Sequence, residues 1–176
     1  MTNNPRYLPP TPLTTDHLIE NFECRSDEQT EWLQLHARQS TAMGTTKIFV
    51  VTQPERLDVV AYYGWCMAQI QIADAAVRLR KGAGRYPQPV ALLARLGVSI
   101  DHEGHGLGAG LLLDVLKRTA ALGGEIGCRG LLVHAESAEA QDFYHHLIPE
   151  FEPSPTDDLH LVLLMKSIRK TLRQSS

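Results

Sequence analysis

Apolar residues recur along the chain with two different periods, which predict helices in some segments and strands in others. Residues 27–43 and 107–122 place apolar side chains three and four positions apart, as one face of an amphipathic helix requires. Short apolar runs rich in β-branched and aromatic residues predict strands between the helices. The predicted strands are 47–52, 59–72, 90–100, 129–135 and 160–165.

Residues with special backbone preferences set the expected ends of these elements. Gly44 is placed to end the first long helix, and Gly123 follows the second. Ser137 is the expected cap of a further helix, which Pro149 must end. A short helix is also expected over 16–22.

The order of the predicted elements is a pair of helical segments, a β-hairpin and then a β-α-β-α-β series. This order predicts an α/β (α+β) fold in which helices cover both faces of a mixed sheet. A chain of 176 residues has the size of one domain, which can bury a core without disulfides or a metal ion. We expect a single domain over 13–168, an extended proline-rich arm over 1–12 and a basic tail over 169–176.

Composition excludes several classes of protein. With 43% hydrophobic and 21% charged residues, the chain is typical of a globular protein. Its formal net charge of −3 means that an anionic partner must be met by a local basic patch. Its 3 cysteines lie far apart without a CxxC pair, which predicts reduced thiols. We find no signal peptide and no apolar run of the ~20 residues that cross a bilayer, so we expect a cytoplasmic protein without a membrane partner.

The most informative motif is a glycine-rich turn between the strand 90–100 and the helix that follows it. Four glycines alternate there, namely Gly104, Gly106, Gly108 and Gly110. Such a turn lets backbone N–H groups approach an anion at the start of a helix. The turn lacks the Gly-Lys-Ser/Thr of a P-loop, and Glu136 lies beyond the position of the acid in dinucleotide folds. A pyrophosphate-binding loop and a tight turn without a ligand both remain open on this pattern alone.

Taken in order, a series of short segments resembles the GNAT acetyltransferases, and among them the TacT-type toxins of toxin–antitoxin pairs. The coenzyme A motif of GNAT proteins is Gln/Arg-x-x-Gly-x-Gly/Ala, and Glu103-Gly104-His105-Gly106-Leu107-Gly108 matches it except at Glu103. The resemblance covers residues from about 13 to 168. Its other segments include Glu31-Trp32-Leu33, Thr46-Lys47-Ile48-Phe49-Val50, Ala94-Arg95-Leu96-Gly97-Val98, Leu132-Val133-His134-Ala135 and Ala140-Gln141-Asp142-Phe143-Tyr144.

The resemblance implies a mostly antiparallel GNAT sheet and an acetyl-CoA-dependent N-acetyltransferase. In such enzymes acetyl-CoA lies along a splayed strand end and against the glycine-rich turn. The residues that the resemblance assigns to it are Leu96, Gly97, Val98, Glu103, Gly104, His105, Gly106, Leu107, Gly108 and Ala109. The implied reaction acetylates the α-amine of the amino acid carried on a charged tRNA, which stops translation.

Acetyl transfer needs a proton for the leaving thiolate. A phenol can supply it, because its pKa of about 10 lies above the thiol value of about 8.5. Tyr144 matches the tyrosine of the family's Phe-Tyr pair and is the predicted general acid, with a buried core aromatic as the alternative. No base is assigned, because an α-amine with a pKa of about 8 is partly neutral at physiological pH. His134 and His145 are either proton acceptors or structural histidines.

The segment 78–88 is basic and contains no acidic residue. We expect its cations to contact tRNA phosphates, whereas a solvated loop is the alternative. The predicted RNA-binding residues are Arg78, Arg80, Lys81, Arg85 and, outside this segment, Arg95. We assign no metal site, because His102 and His105 have no evident third ligand. The aromatic residues Trp32, Tyr62 and Tyr63 are expected in the core rather than stacked on RNA bases.

The resemblance also implies two protein partners, a second copy of the chain in a homodimer and a ribbon-helix-helix antitoxin. Two other functions remain open at this point. The first is a GNAT enzyme that acetylates a small-molecule or protein amine. The second is a GNAT-like module that binds coenzyme A without turnover, which Glu103 favours because a carboxylate repels a pyrophosphate.

Overall fold

Residues 6–176 are described by a computed structural model, and within them the backbone forms seven strands and six α-helices. The strands are β1 (Thr11–Pro12), β2 (Lys47–Val51), β3 (Ala61–Ile70), β4 (Gln88–Val98), β5 (Gly130–His134), β6 (Glu152–Pro153) and β7 (His160–Leu164). The helices are α1 (Asp27–Leu35), α2 (Ala37–Met43), α3 (Val77–Arg80), α4 (Leu107–Gly123), α5 (Ala138–Leu147) and α6 (Met165–Gln174). Within the described range, no helix combines the length and the apolar character of a membrane span.

The strands follow the order β1-β2-β3-β4-β5-β7-β6 in the sheet. β4 pairs with β5 in parallel, whereas the β1–β2, β2–β3, β5–β7 and β6–β7 pairs are antiparallel. This arrangement confirms the predicted mixed, mostly antiparallel sheet. The chain divides into two compact units, the first with the described residues up to Cys66 and Ala94–Leu112, the second with Met67–Leu93 and Leu113–Ser176.

The core of the first unit is built around the start of β3. Phe49 of β2 lies opposite Tyr63, and their rings stack with centroids 5.1 Å apart. Tyr62 points to the other face of the strand, where it is fully buried in a cluster with Leu33 of α1. Its hydroxyl donates a 2.6 Å hydrogen bond to the carbonyl oxygen of Gln29. Both tyrosines are therefore core residues, as predicted.

The core of the second unit is centred on β5. Leu132 lies between Leu92 of β4 and Val162 of β7 in the strand register. Leu79 of α3 is fully buried in the same apolar cluster as Leu132 and Val162. Leu131, which points to the opposite face, is fully buried too, so this strand is apolar on both faces as its sequence predicts.

The single helix predicted over 27–43 is in fact two helices. His36 separates α1 from α2 with φ −121° and ψ −21°, outside the helical range. The hydrogen bonds continue across the break, because the His36 N–H donates to Trp32 and its carbonyl accepts from Ser40. A kink that keeps its hydrogen bonds leaves the apolar spacing nearly unchanged, so periodicity does not reveal it. Gly44 ends α2 in the left-handed conformation, as expected.

The predicted helix over 16–22 is wrong. Its backbone bonds to the loop before β3, with Leu18 N–H donating to Leu57 O and Val59 N–H donating to Leu18 O. Nη2 of Arg38 also donates a hydrogen bond to the carbonyl oxygen of His17, at 2.7 Å. These tertiary partners satisfy the groups that a local helix would otherwise pair.

The ends of the chain are more structured than the predicted arm and tail. Thr11 of β1 pairs with Val50 of β2, and the Leu8 N–H donates to Thr52 O. Residues 1–5 of the predicted arm lie outside the described residues. At the other end, α6 continues to residue 174 and packs on β5 and β7. The predicted domain limits, residues 13 and 168, stay predictions.

Candidate functional site

The glycine-rich turn leads from β4 into α4 in the first unit. A 3-10 turn over Ile100–His102 is followed by Glu103, and α4 begins at Leu107. Gly104 and Gly106 both adopt φ +76°, a conformation that disfavours any residue with a Cβ atom. The Gly106 carbonyl accepts the first helical hydrogen bond, from the Gly110 N–H at 2.9 Å. The N–H groups of the first turn thus have no helical acceptor and form the positive end of the helix dipole.

The space in front of this turn is open. A Cβ atom added at Gly104, Gly106 or Gly110 would meet no protein atom within 4 Å among the described residues. Packing therefore does not require glycine here, whereas backbone conformation requires it at Gly104 and Gly106. Gly104, His105 and Gly106 are exposed, so the turn is accessible from solvent and its backbone conformation fits the diphosphate of coenzyme A.

Charged and aromatic side chains surround the turn within the first unit. The guanidinium of Arg25 forms two hydrogen bonds with Glu103, Nε to Oε1 at 2.8 Å and Nη2 to Oε2 at 3.0 Å. Hydrogen bonding and charge from Arg25 hold the pKa of Glu103 below its usual value. On His102, Nδ1 is hydrogen-bonded to the Tyr7 hydroxyl at 2.9 Å, and the Tyr7 ring lies edge-on to His105. None of these contacts is evident from the motif alone.

The strand end before the turn contains Leu96, Gly97 and Val98, which the resemblance assigns to the pantetheine arm. Leu96 and Val98 are half-buried, and the Ser99 N–H donates to Val60 O at 2.8 Å. Gly97 is buried, and a Cβ atom there would lie 3.1 Å from the Tyr62 ring. Gly97 therefore has a packing role, while its contact with the pantetheine arm stays a prediction.

Tyr144, the predicted general acid, lies on α5 in the second unit. Ser137 caps this helix, as predicted, by accepting a hydrogen bond from the Ala140 N–H at 3.1 Å. The Tyr144 side chain is buried and packs edge-on against Phe143 and Phe151. Burial, with the nearby Glu136 carboxylate as a second cause, raises the pKa of Tyr144 far above its usual range. The phenol is therefore fully protonated at physiological pH, which is the state that a proton donor needs.

The two histidines considered as proton acceptors have different surroundings in the second unit. His145 Nε2 lies 3.2 Å from the Phe151 carbonyl oxygen, which indicates a structural role. His134 stacks on His160, its register partner on β7, with ring centroids 3.9 Å apart. Burial and the neighbouring His160 lower the pKa of His134. The rings of His134 and His160 line a cavity of about 380 Å³ together with Asp157.

The basic segment 78–88 is held in place by a buried glutamine. Gln88 Nε2 donates to the carbonyl oxygens of Ala83 and Tyr86, and its Oε1 accepts from Arg129 at 2.7 Å. Arg129 also donates to the Leu79 carbonyl. These bonds fix the backbone of a segment that the sequence predicts to be flexible.

The cations of this segment are not equivalent. Arg78 forms a 3.0 Å ion pair with Glu152. The other predicted RNA-binding side chains of the segment, Arg80, Lys81 and Arg85, are exposed. Tyr86, which sequence reasoning missed, is 80% exposed beside them. Its signal in the sequence is an aromatic residue within a basic run that has no apolar periodicity.

Arg95 lies in the first unit and differs from the segment 78–88. Its guanidinium lies 5.2 Å from the ring centroid of Trp32 and 2.8 Å from Glu28 Oε1. Its side chain is only 25% exposed. Trp32 in turn stacks parallel to Tyr62, which places it at the edge of the core. Arg95 thus has a structural role in holding Trp32, and its contact with RNA stays a prediction.

Comparison with known proteins identifies close relatives. No protein-family model matches the chain. Over 163 residues it is 36% identical to the tRNA-acetylating toxin of Mycobacterium tuberculosis, which covers 93% of this chain and 95% of the relative. It is also 23% identical to a probable toxin TacT of Sinorhizobium fredii, over 86% of this chain and 87% of the relative.

Solved structures have the same fold. A Tyr-to-Phe variant of KacT superposes with a TM-score of 0.87 at 17% identity, covering 95% of this chain and 99% of KacT. AtaT complexed with acetyl-methionyl-tRNAfMet superposes with a TM-score of 0.84 at 21% identity, covering 94% of this chain and 98% of AtaT. A variant of AtaT bound to acetyl-CoA and to the C-terminus of the antitoxin AtaR superposes with a TM-score of 0.79 at 21% identity, covering 96% of this chain and 99% of the AtaT variant.

Proposed function

The chain belongs to the family of tRNA-acetylating toxins, and we propose on that basis that it transfers the acetyl group of acetyl-CoA to the α-amine of an aminoacyl-tRNA. The observation that carries the proposal is the 36% identity with the tRNA-acetylating toxin of M. tuberculosis along 93% of the chain. The open glycine-rich turn supports it, because its N–H groups suit the diphosphate of acetyl-CoA.

Acetyl-CoA is the co-substrate in this proposal. The backbone from Glu103 to Ala109 holds its diphosphate through the N–H groups of the turn and of the first turn of α4. The backbone of Leu96, Gly97 and Val98 binds the pantetheine arm and polarises the acetyl carbonyl. Neither role depends on a particular side chain, although Glu103 brings a negative charge to the start of the turn.

The chemical step needs little from the protein beyond positioning and one proton. An α-amine has a pKa of about 8, so a useful fraction is neutral and nucleophilic at physiological pH. It attacks the thioester carbonyl, the C–S bond breaks and the amine loses a proton. Tyr144 donates a proton to the departing sulfur, since its buried phenol stays protonated, and the proton released by the amine returns to the phenolate through solvent. The acetylated amine can no longer accept a peptide, so translation stops.

The chain acts with partners in this proposal. AtaT has been solved with the C-terminus of the antitoxin AtaR and, as the AtaT–AtaR complex, with DNA. We propose an antitoxin partner of ribbon-helix-helix type, a homodimer and a cytoplasmic location, where charged tRNA occurs. A dimer presents two basic segments 78–88 and so a wider positive surface than one chain of net charge −3. Light scattering that detects only monomer contradicts the dimer.

The direct test is incubation of the protein with charged tRNA and isotopically labelled acetyl-CoA, followed by mass spectrometry of the released aminoacyl group. We expect the label on the α-nitrogen of the amino acid. The controls are uncharged tRNA, a lysine peptide and a polyamine. Acetylation of a control amine without acetylation of charged tRNA would establish another GNAT activity instead, and binding of acetyl-CoA without any transfer would establish a module without turnover.

A further inference from the structure

The first residue of the glycine-rich turn, Glu103, is negatively charged, and a negative charge disfavours the binding of a diphosphate. Glu103 occupies the position where GNAT proteins carry Gln or Arg, next to the N–H groups that would receive a diphosphate. A carboxylate and a phosphate a few ångströms apart repel each other, and the repulsion is strongest at low salt. The chain therefore needs a compensating cation if the turn binds coenzyme A as proposed above.

The structure contains such a cation 78 positions away in sequence. Arg25 approaches Glu103 side-on, so that both carboxylate oxygens accept a hydrogen bond, at 2.8 and 3.0 Å. This two-point geometry matches the planar guanidinium to the planar carboxylate, which the ammonium of a lysine cannot do. The pair is thus a specific arrangement rather than a chance approach of two charges.

The backbone on both sides of Arg25 is anchored. The Cys24 N–H donates to the Thr30 hydroxyl at 3.0 Å, and Ser26 caps α1 by accepting from the Gln29 N–H. The Glu23 carbonyl accepts from the Ile100 N–H at 2.9 Å, which ties this segment to the residues that lead into the turn. Arg25 is therefore carried to the turn by fixed backbone on each side.

We propose that Arg25 is a positioning residue of the coenzyme A site: it neutralises Glu103, and the Arg25–Glu103 pair replaces the Gln or Arg of the family motif. The proposal rests on the proposed function, because it assumes that the turn receives the diphosphate. We expect the pair to contribute little to the stability of the fold. The Arg25 side chain is 77% exposed and that of Glu103 is 32% exposed, and pairs this open to solvent contribute little to stability.

The test is a double-mutant cycle read by calorimetric binding of coenzyme A to the full chain. The four proteins are wild type, Arg25→Ala, Glu103→Gln and the double variant. We expect Arg25→Ala to weaken binding about tenfold at low salt, since it leaves the carboxylate uncompensated. Glu103→Gln should stay within about threefold of wild type, and the double variant should recover most of the loss, because no carboxylate remains. High salt should shrink the effect of Arg25→Ala.

A control and a second readout make the test specific. Arg118→Ala breaks the 2.9 Å pair with Asp114 on α4 and changes the net charge equally, so it should leave binding within about twofold of wild type. The melting temperatures of all variants should stay close to that of wild type, which a merely structural role of Arg25 would not allow.

Two results overturn the inference. One is unchanged binding in Arg25→Ala, and the other is a double variant as weak as Arg25→Ala, which would mean that Arg25 acts independently of Glu103. If the wild-type protein does not bind coenzyme A at all, the proposed function fails together with the inference. Wild-type binding without the expected coupling overturns the inference alone.

Discussion

A Cβ atom at Gly97 would lie 3.1 Å from the ring of Tyr62, and this ring is held by contacts on several sides. It is fully buried, its hydroxyl donates to Gln29 O at 2.6 Å, and Trp32 stacks parallel to it. The glycine on β4 and the tyrosine on β3 thus fit together without spare space.

We therefore expect Gly97→Ala to destabilise the protein by about 1–3 kcal/mol, the usual cost of overpacking a tight core. Urea unfolding measures the change, and Gly110→Ala is the matched control. Gly110 is helical and faces open space, so alanine there should stabilise the protein by about 0.5–1 kcal/mol through helix propensity. Equal effects at the two glycines would mean that Tyr62 yields to the added methyl group.

Gly106 tests the anion-binding turn itself. Gly106→Val introduces a β-branched side chain at φ +76°, into the space where the diphosphate would approach the N–H groups. We expect coenzyme A binding, measured by calorimetry, to weaken more than about tenfold, together with a loss of about 1–3 kcal/mol of stability from backbone strain.

The control variant Gly82→Val separates the effect of backbone strain on stability from the effect of blocking the diphosphate. Gly82 has φ +75° and no protein atom near its Cβ position within the described part of the chain, but it lies in the segment 78–88 of the second unit. The Gly82→Val protein should lose about as much stability as Gly106→Val and should bind coenzyme A as tightly as wild type. A Gly106→Val protein that binds coenzyme A as tightly as wild type would place the diphosphate elsewhere.

Tyr144→Phe removes one oxygen atom and keeps the ring contacts with Phe143 and Phe151. We expect kcat to fall by about 10²–10⁴, the usual contribution of a positioned proton donor, while coenzyme A binds as before. Because burial raises the pKa of Tyr144, ionisation of the phenol should not appear in the pH profile of wild-type kcat near neutrality. Wild-type turnover in the variant would exclude Tyr144 as the acid and leave it as a core aromatic.

Much of this fold follows from sequence periodicity, because α4 and β5 each bury apolar side chains in a regular pattern. The break between α1 and α2 at His36 does not follow from periodicity, because backbone hydrogen bonds continue through the kink. The glycine-rich turn was predictable because positive φ leaves a glycine signature at Gly104 and Gly106. The pairing of Arg25 with Glu103 was not predictable, because it joins two distant segments that only the folded chain brings together.

His134 predicts a small pH dependence of stability. Its pKa is lowered in the folded chain by burial and by His160, so the unfolded chain binds this proton more tightly. As the pH falls through the ordinary histidine value of about 6.5, the unfolded state gains the proton first and the free energy of unfolding decreases. The decrease ends once the pH is below the folded pKa. The His134 side chain is only partly buried, so solvent limits the size of the effect.

Urea unfolding on either side of pH 6.5 measures this dependence, with His134→Gln as the variant, because glutamine is neutral throughout. Wild type should lose more stability on acidification than the variant does. The difference between the two proteins, rather than the total change, is the relevant quantity, because seven other histidines remain among the 8 of the chain. Identical losses would mean that the stacked His134–His160 pair does not oppose protonation.

The basic segment 78–88 provides the last prediction, which concerns tRNA binding. Arg80, Lys81 and Arg85 are exposed, and their backbone is fixed through Gln88. Replacing all three with Ala should weaken tRNA binding and reduce the slope of log affinity against log salt by about 2–3, since each phosphate contact contributes about 0.7–0.9. Acetylation of a small test amine should survive, because none of the three belongs to the proposed thioester site.

The matched control for this triple variant replaces three exposed cations of α6, namely Lys166, Arg169 and Lys170. It changes the net charge equally, so it separates local contacts from the overall field of the molecule. An equal loss of slope in both triple variants would indicate a diffuse electrostatic effect. A loss confined to the α6 variant would move the RNA-binding surface from the segment 78–88 to the C-terminal helix.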